Sequence, residues 1–188
     1  MPQNALLLTV RKRHIIETIN DMLKNTAQLV HSRHRSLTNF IMIHAFLFGG
    51  LYDFAGKIRE VNIAKGGFQF AMAQHLPQTL CDIERMPEST LDEIVDKYAE
   101  MNIAHPFREG NGRATRIWLD LMLKSRLKKC VDWSQIDKHD YLDAMTHSVS
   151  DASTIKNLVA GALTDKINDR EIFMKGIDYS YYYEQADE

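Results

Sequence analysis

Pro106 constrains the fold of this chain more than any other residue. It follows a run in which Leu91, Ile94, Val95, Tyr98 and Met101 keep one helical face apolar, and Thr90 with Glu93 forms a capping box at the start of that run. A proline disfavours helical geometry in the residue before it, so the pattern predicts a helix ending after Ala104, with His105 as the first residue of a loop. A second helix is expected to begin around Gly110 to Gly112 and to run to about Leu127, with Ile117, Leu119, Leu121 and Met122 on its buried side.

The dominant period elsewhere is also helical. Thr38 to Leu47 is apolar nearly all round and is stopped by Gly49-Gly50, which predicts a buried helix. Shorter helices are expected near Lys138 to Thr146, Ser153 to Leu163 and Asn168 to Tyr183, the last interrupted at Gly176. Ile15, Ile16, Ile19 and Leu23 suggest one amphipathic helix within residues 1–36. One stretch reads as β: Val61/Ile63 and Phe68/Phe70 alternate on either side of Gly66-Gly67, a hairpin signal. The expected fold is mainly α with one small hairpin, and no internal repeat, low-complexity tract or linker marks a domain boundary.

A chain of 188 residues suffices for one domain with a real core. A net charge of −2 gives no electrostatic reason to expect nucleic acid or an anionic membrane as the main partner. No run approaches the ~18 apolar residues of a membrane span. The apolar start is interrupted by Arg11, Lys12, Arg13 and His14 without a small-residue cleavage site, so a cytoplasmic location is expected. Cys81 and Cys130 have no metal or redox spacing and are expected as buried, reduced thiols. The stretch His31-Ser32-Arg33-His34-Arg35-Ser36 reads as a solvated basic loop.

The chemistry concentrates in His105-Pro106-Phe107-Arg108-Glu109-Gly110-Asn111-Gly112-Arg113-Ala114-Thr115-Arg116. Gly110-Asn111-Gly112 permits a tight turn that brings backbone N–H groups close to a ligand, and the helix start behind it adds free amides and a positive dipole end. Arg113 and Arg116 lie three apart on one helix face, so both can reach one phosphate chain through their planar forks. Glu109, beside that anion site, suits Mg²⁺ bridging phosphates. His105, with an ordinary pKa of ~6.5, can take a proton from a hydroxyl. No P-loop or protein-kinase catalytic loop is present. These parts point to a nucleotide-using transferase.

The same twelve residues match the H-P-F-x-[DE]-G-N-G-R-x-x-R motif of the Fic family, whose best-known members are protein adenylyltransferases. Ile43 to Phe48, Tyr52 to Arg59 and the hairpin ending Lys65-Gly66-Gly67-Phe68 also resemble the family, and the resemblance spans about Thr38 to Glu184. It implies a Fic-type helical domain over residues 37–188, with the hairpin serving as a flap; residues 1–36 lie outside the resemblance and are expected, from their own apolar pattern, to form a helical extension. By the same resemblance His105 is the general base, and Phe107 anchors the loop in the core. Glu109 holds Mg²⁺. Gly110, Asn111 and Gly112 form the anion turn, and Arg113 and Arg116 hold the outer phosphates. Lys65, Gly66, Gly67 and Phe68 line the nucleotide site and align a target segment by strand pairing. The kinase-like branch of the family carries Lys where this chain has Gly112, so the resemblance favours attack at the α-phosphate of ATP, leaving AMP on the protein.

Ser180-Tyr181-Tyr182-Tyr183-Glu184 has the S-x-x-x-E spacing of the family's C-terminal inhibitory helix, here about residues 169–185. The resemblance implies that Glu184 pairs with Arg116 and denies it to the γ-phosphate. The expected partner is a protein bearing a hydroxyl side chain, with a type II topoisomerase subunit as one hypothesis and self-modification at Tyr179, Tyr181, Tyr182 or Tyr183 as another. Kinase-like or phosphocholine transfer on the same scaffold, and a catalytically silent nucleotide-binding regulator, stand as alternatives.

Overall fold

Phe40, Ile43, His44 and Phe48 are buried along one stripe of the first described helix, α1 (Arg35–Phe48), while Met42 on its other side is 49% exposed. The helix therefore packs by a face rather than being buried all round as its composition suggested. The computed structural model describes residues 35–182, apart from the side chains at 35, 173, 174, 177 and 180–182. The helix expected near Ile15 to Leu23 lies outside the described residues.

A two-strand hairpin follows, β1 (Ala64–Lys65) and β2 (Phe68–Gln69), with Lys65 opposite Phe68. Gly66 and Gly67 both take positive φ, 57° and 79°, the geometry a two-residue hairpin turn needs. The ladder is shorter than the alternation from Val61 to Phe70 implied. Next comes a helix that the sequence reading did not anticipate, α2 (Leu76–Arg85), with proline in its first turn and Leu76, Leu80 and Ile83 buried at helical spacing.

The centre of the domain is the pair α3 (Leu91–Ala104) and α4 (Asn111–Leu127), packed against each other as the loop between them dictates. The Thr90–Glu93 capping box is formed as expected. Helix α1 lies on α4: Phe40 meets Trp118 at 5.4 Å between ring centroids, and the Trp118 indole N–H donates to the Ser36 carbonyl at 3.0 Å. Helix α2 lies on α3, where the buried Lys97 ammonium donates to the Glu84 and Met86 carbonyls and to the Glu88 carboxylate, closing the C-terminal end of α2.

Beyond α4 the chain forms β3 (Cys130–Val131), a 3-10 turn at Trp133–Gln135, α5 (Lys138–His147), α6 (Ser153–Gly161), β4 (Leu163–Thr164) and α7 (Arg170–Tyr182). Leu163, expected at the end of a helix, instead pairs antiparallel with Val131. The helix ends at Gly161, and Leu163 and Thr164 pair with Val131 and Cys130. Helix α7 runs through Gly176 without a break: a Cβ there would lie 3.2 Å from Cδ1 of Trp133, so the glycine admits the indole edge. Trp133 is held in turn by Asp120 on α4, which accepts from its indole N–H at 2.9 Å and from the Val131 N–H at 2.8 Å. Burial raises the Asp120 pKa to about 6 against those two hydrogen bonds. Both cysteines are free thiols, but Cys81 is exposed and Cys130 half-buried, a correction to the expectation that both were core residues. Cys81 falls on the solvent side of α2, opposite Leu80 and Ile83. No helix among the described residues is long and apolar enough to cross a membrane.

Candidate active site

His105 caps α3 in a left-handed conformation, φ 47° and ψ 60°, a region uncommon for a residue with a Cβ. Its backbone N–H still donates to the Met101 carbonyl at 3.1 Å. The conformation turns the ring back over its own helix, where Nδ1 lies 3.1 Å from the Asn102 carbonyl. A carbonyl can only accept, so the proton sits on Nδ1 and Nε2 carries a lone pair. The ring stacks on Phe70 of the hairpin strand end, centroids 3.8 Å apart. Burial lowers the His105 pKa to about 4; the nearby charges of Arg59 and Lys65 act in the same direction, against the Asn102 hydrogen bond and Glu109. The imidazole is neutral at physiological pH.

The turn after it is built from both sides. Phe107 is fully buried, stacked on His44 at 3.6 Å and tilted against Phe40 at 5.2 Å. Asn111 accepts from the Phe107 N–H at 2.8 Å and donates its amide to the Phe107 carbonyl at 2.7 Å, so its side chain closes the loop. His44 on α1 donates from Nε2 to the Glu109 carbonyl at 2.8 Å and accepts the Gly56 N–H on Nδ1 at 2.9 Å. With both nitrogens engaged in these roles His44 is a neutral strut, and burial lowers its pKa. Gly110 has φ 77°, and the first hydrogen bond of α4 runs from the Ala114 N–H to the Gly110 carbonyl at 3.1 Å. The amides of Asn111, Gly112 and Arg113 thus form the open N-terminal end of the helix, with the positive pole of its dipole.

The arginines take different positions. The Arg113 guanidinium lies over the Phe48 ring, 4.6 Å from its centroid. Arg116, one turn further along, is buried and donates to the Tyr141 hydroxyl of α5 at 3.3 Å; Tyr141 shares a hydrogen bond with the buried Tyr98 hydroxyl of α3. Glu109 is exposed, with one carboxylate oxygen 3.2 Å from the Gly110 N–H. Lys65, Gly66 and Gly67 are exposed at the tip of the hairpin, and Phe68 packs edge-on to Phe70. His105, the turn, Glu109 and the hairpin thereby surround one end of α3 and α4. Glu184 lies outside the described residues, as does the Ser180 side chain, although residue 180 is within α7.

Three residues in this arrangement were not singled out by sequence. His44 had a signal: it is a polar residue four from both Phe40 and Phe48 on an apolar stripe. Arg59 closes the family-like stretch from Tyr52, but its tie to His105 spans 46 residues, and that of Tyr141 to Arg116 spans 25, so neither contact left a local signal.

These features define a class of protein, a helical scaffold that presents a neutral histidine beside a glycine-rich helix N-terminus. Residues 35–123 match the Fic/DOC family and form a domain of that family. Residues 3–37 separately match the transposase DDE domain family. The chain is 30% identical over 151 residues to protein adenylyltransferase VbhT of Bartonella schoenbuchensis, covering 72% of this chain and 31% of that protein. It is 26% identical over 143 residues to the probable protein adenylyltransferase Fic of Salmonella typhimurium, covering 70% of this chain and 71% of that one. Among solved structures, the N-terminal FIC domain of Bep8 from Bartonella sp. 1-1C superposes with a TM-score of 0.64 at 14% identity, over 85% of this chain and 88% of that one. BepC from Bartonella tribocorum with bound AMPPNP does so with a TM-score of 0.58 at 19% identity, over 81% and 87%. At these identities the structural likeness establishes the fold.

Proposed function

We propose that the chain transfers AMP from MgATP to a hydroxyl side chain of a target protein. The observation that carries this reading is the His105 hydrogen bond: Nδ1 is committed to the Asn102 carbonyl, which leaves Nε2 as an acceptor on the loop that leads into the open amides of α4. Nε2 takes the proton of the target hydroxyl as its oxygen attacks the α-phosphorus. The bond from that phosphorus to the β-bridging oxygen breaks, and pyrophosphate leaves. The α4 amides and Arg113 hold the phosphates, and Arg116 reaches the γ-phosphate on leaving Tyr141.

A base with a pKa of about 4 is weak, and the negative charge of a bound polyphosphate raises it toward neutrality. The site is thus tuned to become a better base once nucleotide is in place. Among the described residues no group of three or more His, Cys, Asp or Glu is gathered as a metal cage. One exposed carboxylate, Glu109, fits Mg²⁺, which commonly takes one or two carboxylates and completes its shell with phosphates and water. When bound there the ion neutralises charge between phosphate oxygens.

The reading extends to α7 as a restraint, with Glu184 competing for Arg116. In its support, α7 packs against α4, the helix that carries both arginines, and against the Trp133 turn. A type II topoisomerase subunit is a candidate target, and the tyrosines near residue 180 are candidate self-modification sites. The chain is proposed to act in the cytoplasm. ATP labelled on the α- or the γ-phosphate tests the reaction. Label from α alone is expected; label from γ alone would mean kinase-like transfer, and none would mean a silent binder or another donor such as a phosphocholine compound.

A further inference from the structure

Arg59 lies between α1 and the hairpin and is 2% exposed. Its Nε–H donates to the His105 carbonyl at 2.7 Å and its Nη1 to the Val61 carbonyl at 2.7 Å. Nη2 donates to the carbonyls of Ala71 and Ala104, the latter at 3.1 Å. The Arg59 backbone N–H donates to the Pro106 carbonyl at 2.8 Å, and the Ala71 N–H to the Ile103 carbonyl at 3.3 Å. Val61 and Ala71 are the two feet of the hairpin, while Ala104, His105 and Pro106 are the end of α3.

A helix-capping arginine accounts for the bonds to Ala104 and His105, since cations satisfy the last carbonyls of a helix. It does not account for the bonds to both feet of the hairpin. We propose that Arg59 is a positioning residue that fixes the offset between the hairpin and His105, so that a hydroxyl aligned along the hairpin arrives at Nε2. This rests on the transfer reading above. The guanidinium is suited to the task because five donors in a rigid plane can serve acceptors on two elements at once, whereas an ammonium offers three donors from a single point. The same charge opposes formation of an imidazolium. The charged groups facing His105 are Arg59 and Lys65, which disfavour it, and Glu109, which favours it.

The test uses Arg59→Lys and Arg59→Gln in the full chain. Three quantities are measured: the His105 titration midpoint by NMR of the ring, ATP affinity by calorimetry, and self-labelling from α-labelled ATP. Arg59→Lys is expected to keep the midpoint low but to lose at least roughly tenfold in labelling, since charge is retained and geometry is not. Arg59→Gln is expected to lose labelling too and to raise the midpoint, since a charge that opposes the imidazolium is removed. ATP affinity should stay within about threefold of wild type, because the phosphates are held from α4.

Wild-type labelling in both variants overturns the proposal, as does a labelling loss that merely follows lost ATP binding. If wild type incorporates no label, the transfer reading fails by itself; the midpoint then decides Arg59, a rise in Arg59→Gln supporting the tie and an unmoved value overturning it. If neither variant folds, amide exchange on wild type decides: the amides of Arg59, Ala71 and His105 should open as one unit. An Ala71 amide exchanging roughly 100-fold faster than that of His105 would show that the hairpin is not tied to the base.

Discussion

Replacing Gly110 by alanine asks whether the turn depends on its backbone geometry and on the space beside it. The residue sits at φ 77°, and a Cβ would fall 2.3 Å from Cζ and 2.4 Å from Cε2 of Phe48. That ring cannot swing aside cheaply. It is 1% exposed and wedged between His44 and Tyr52, at centroid distances of 4.7 and 5.6 Å. A left-handed conformation costs a residue with a Cβ roughly 1–2 kcal/mol. Overpacking a filled site costs about 1–3 kcal/mol more. The sum, about 2–5 kcal/mol, should lower the midpoint of thermal unfolding by roughly 5–15 °C for a domain of this size. Circular dichroism melts of wild type, Gly110→Ala, Phe48→Leu and the double variant separate the two causes. Shrinking the ring should return about 1–2 kcal/mol of the loss as a coupling term, leaving the backbone term in place. A Gly110→Ala protein that melts within a degree or two of wild type would refute the argument outright, and strict additivity in the cycle would show that Phe48 is not the obstacle.

His105→Ala should lower incorporation of α-labelled ATP by about 10²–10⁴, the usual contribution of a positioned base, while calorimetry finds ATP binding nearly intact. Glu184→Gly should label faster than wild type, and the gain should vanish in the Glu184→Gly, Arg116→Ala double variant; equal labelling by Glu184→Gly and wild type would remove the restraint from α7. Two groups oppose each other in acid. His105, with a folded pKa of about 4 against an ordinary value of ~6.5, contributes stability that is present above ~6.5 and lost as pH falls toward 4. Asp120, raised to about 6 from an ordinary ~3.9, contributes stability present below ~3.9 and lost as pH rises through 6. Between about 4 and 6 the slopes therefore offset. Asp120→Asn should unmask the histidine slope, steepening the fall of the unfolding free energy with acid by up to ~1.4 kcal/mol per pH unit in denaturant titrations; a slope unchanged from wild type would contradict the assignment.

The helices on either side of the turn were legible because their limits are written locally. Thr90 and Glu93 start α3, Pro106 ends it, and Gly110 opens α4. What escaped was either short or made by distant partners. Helix α2 is only ten residues long, and its buried positions Leu76, Leu80 and Ile83 are too few to stand out as a period. The pairing of Val131 with Leu163 depends on three intervening elements and leaves no local trace. The twelve-residue motif displayed the groups suited to chemistry. It did not show that the Asn111 side chain turns inward to Phe107, or that His44 and Arg59 reach the loop from elsewhere, since such roles arise only once helices have packed.

The closed ring between Asn111 and Phe107, braced by His44 on Glu109, bears on the kinetics of binding. A glycine-rich loop left to itself would sample many shapes and would have to be gathered around each arriving phosphate. Here that ordering is completed while the helices assemble, and the entropy it removes is charged to folding instead of to recognition. Nucleotide should therefore meet a finished cradle, with a binding heat-capacity change set by surface covered and not by any coupled folding of the loop. Residence time would then reflect the strength of the phosphate contacts, because no reopening of the turn stands between bound and free.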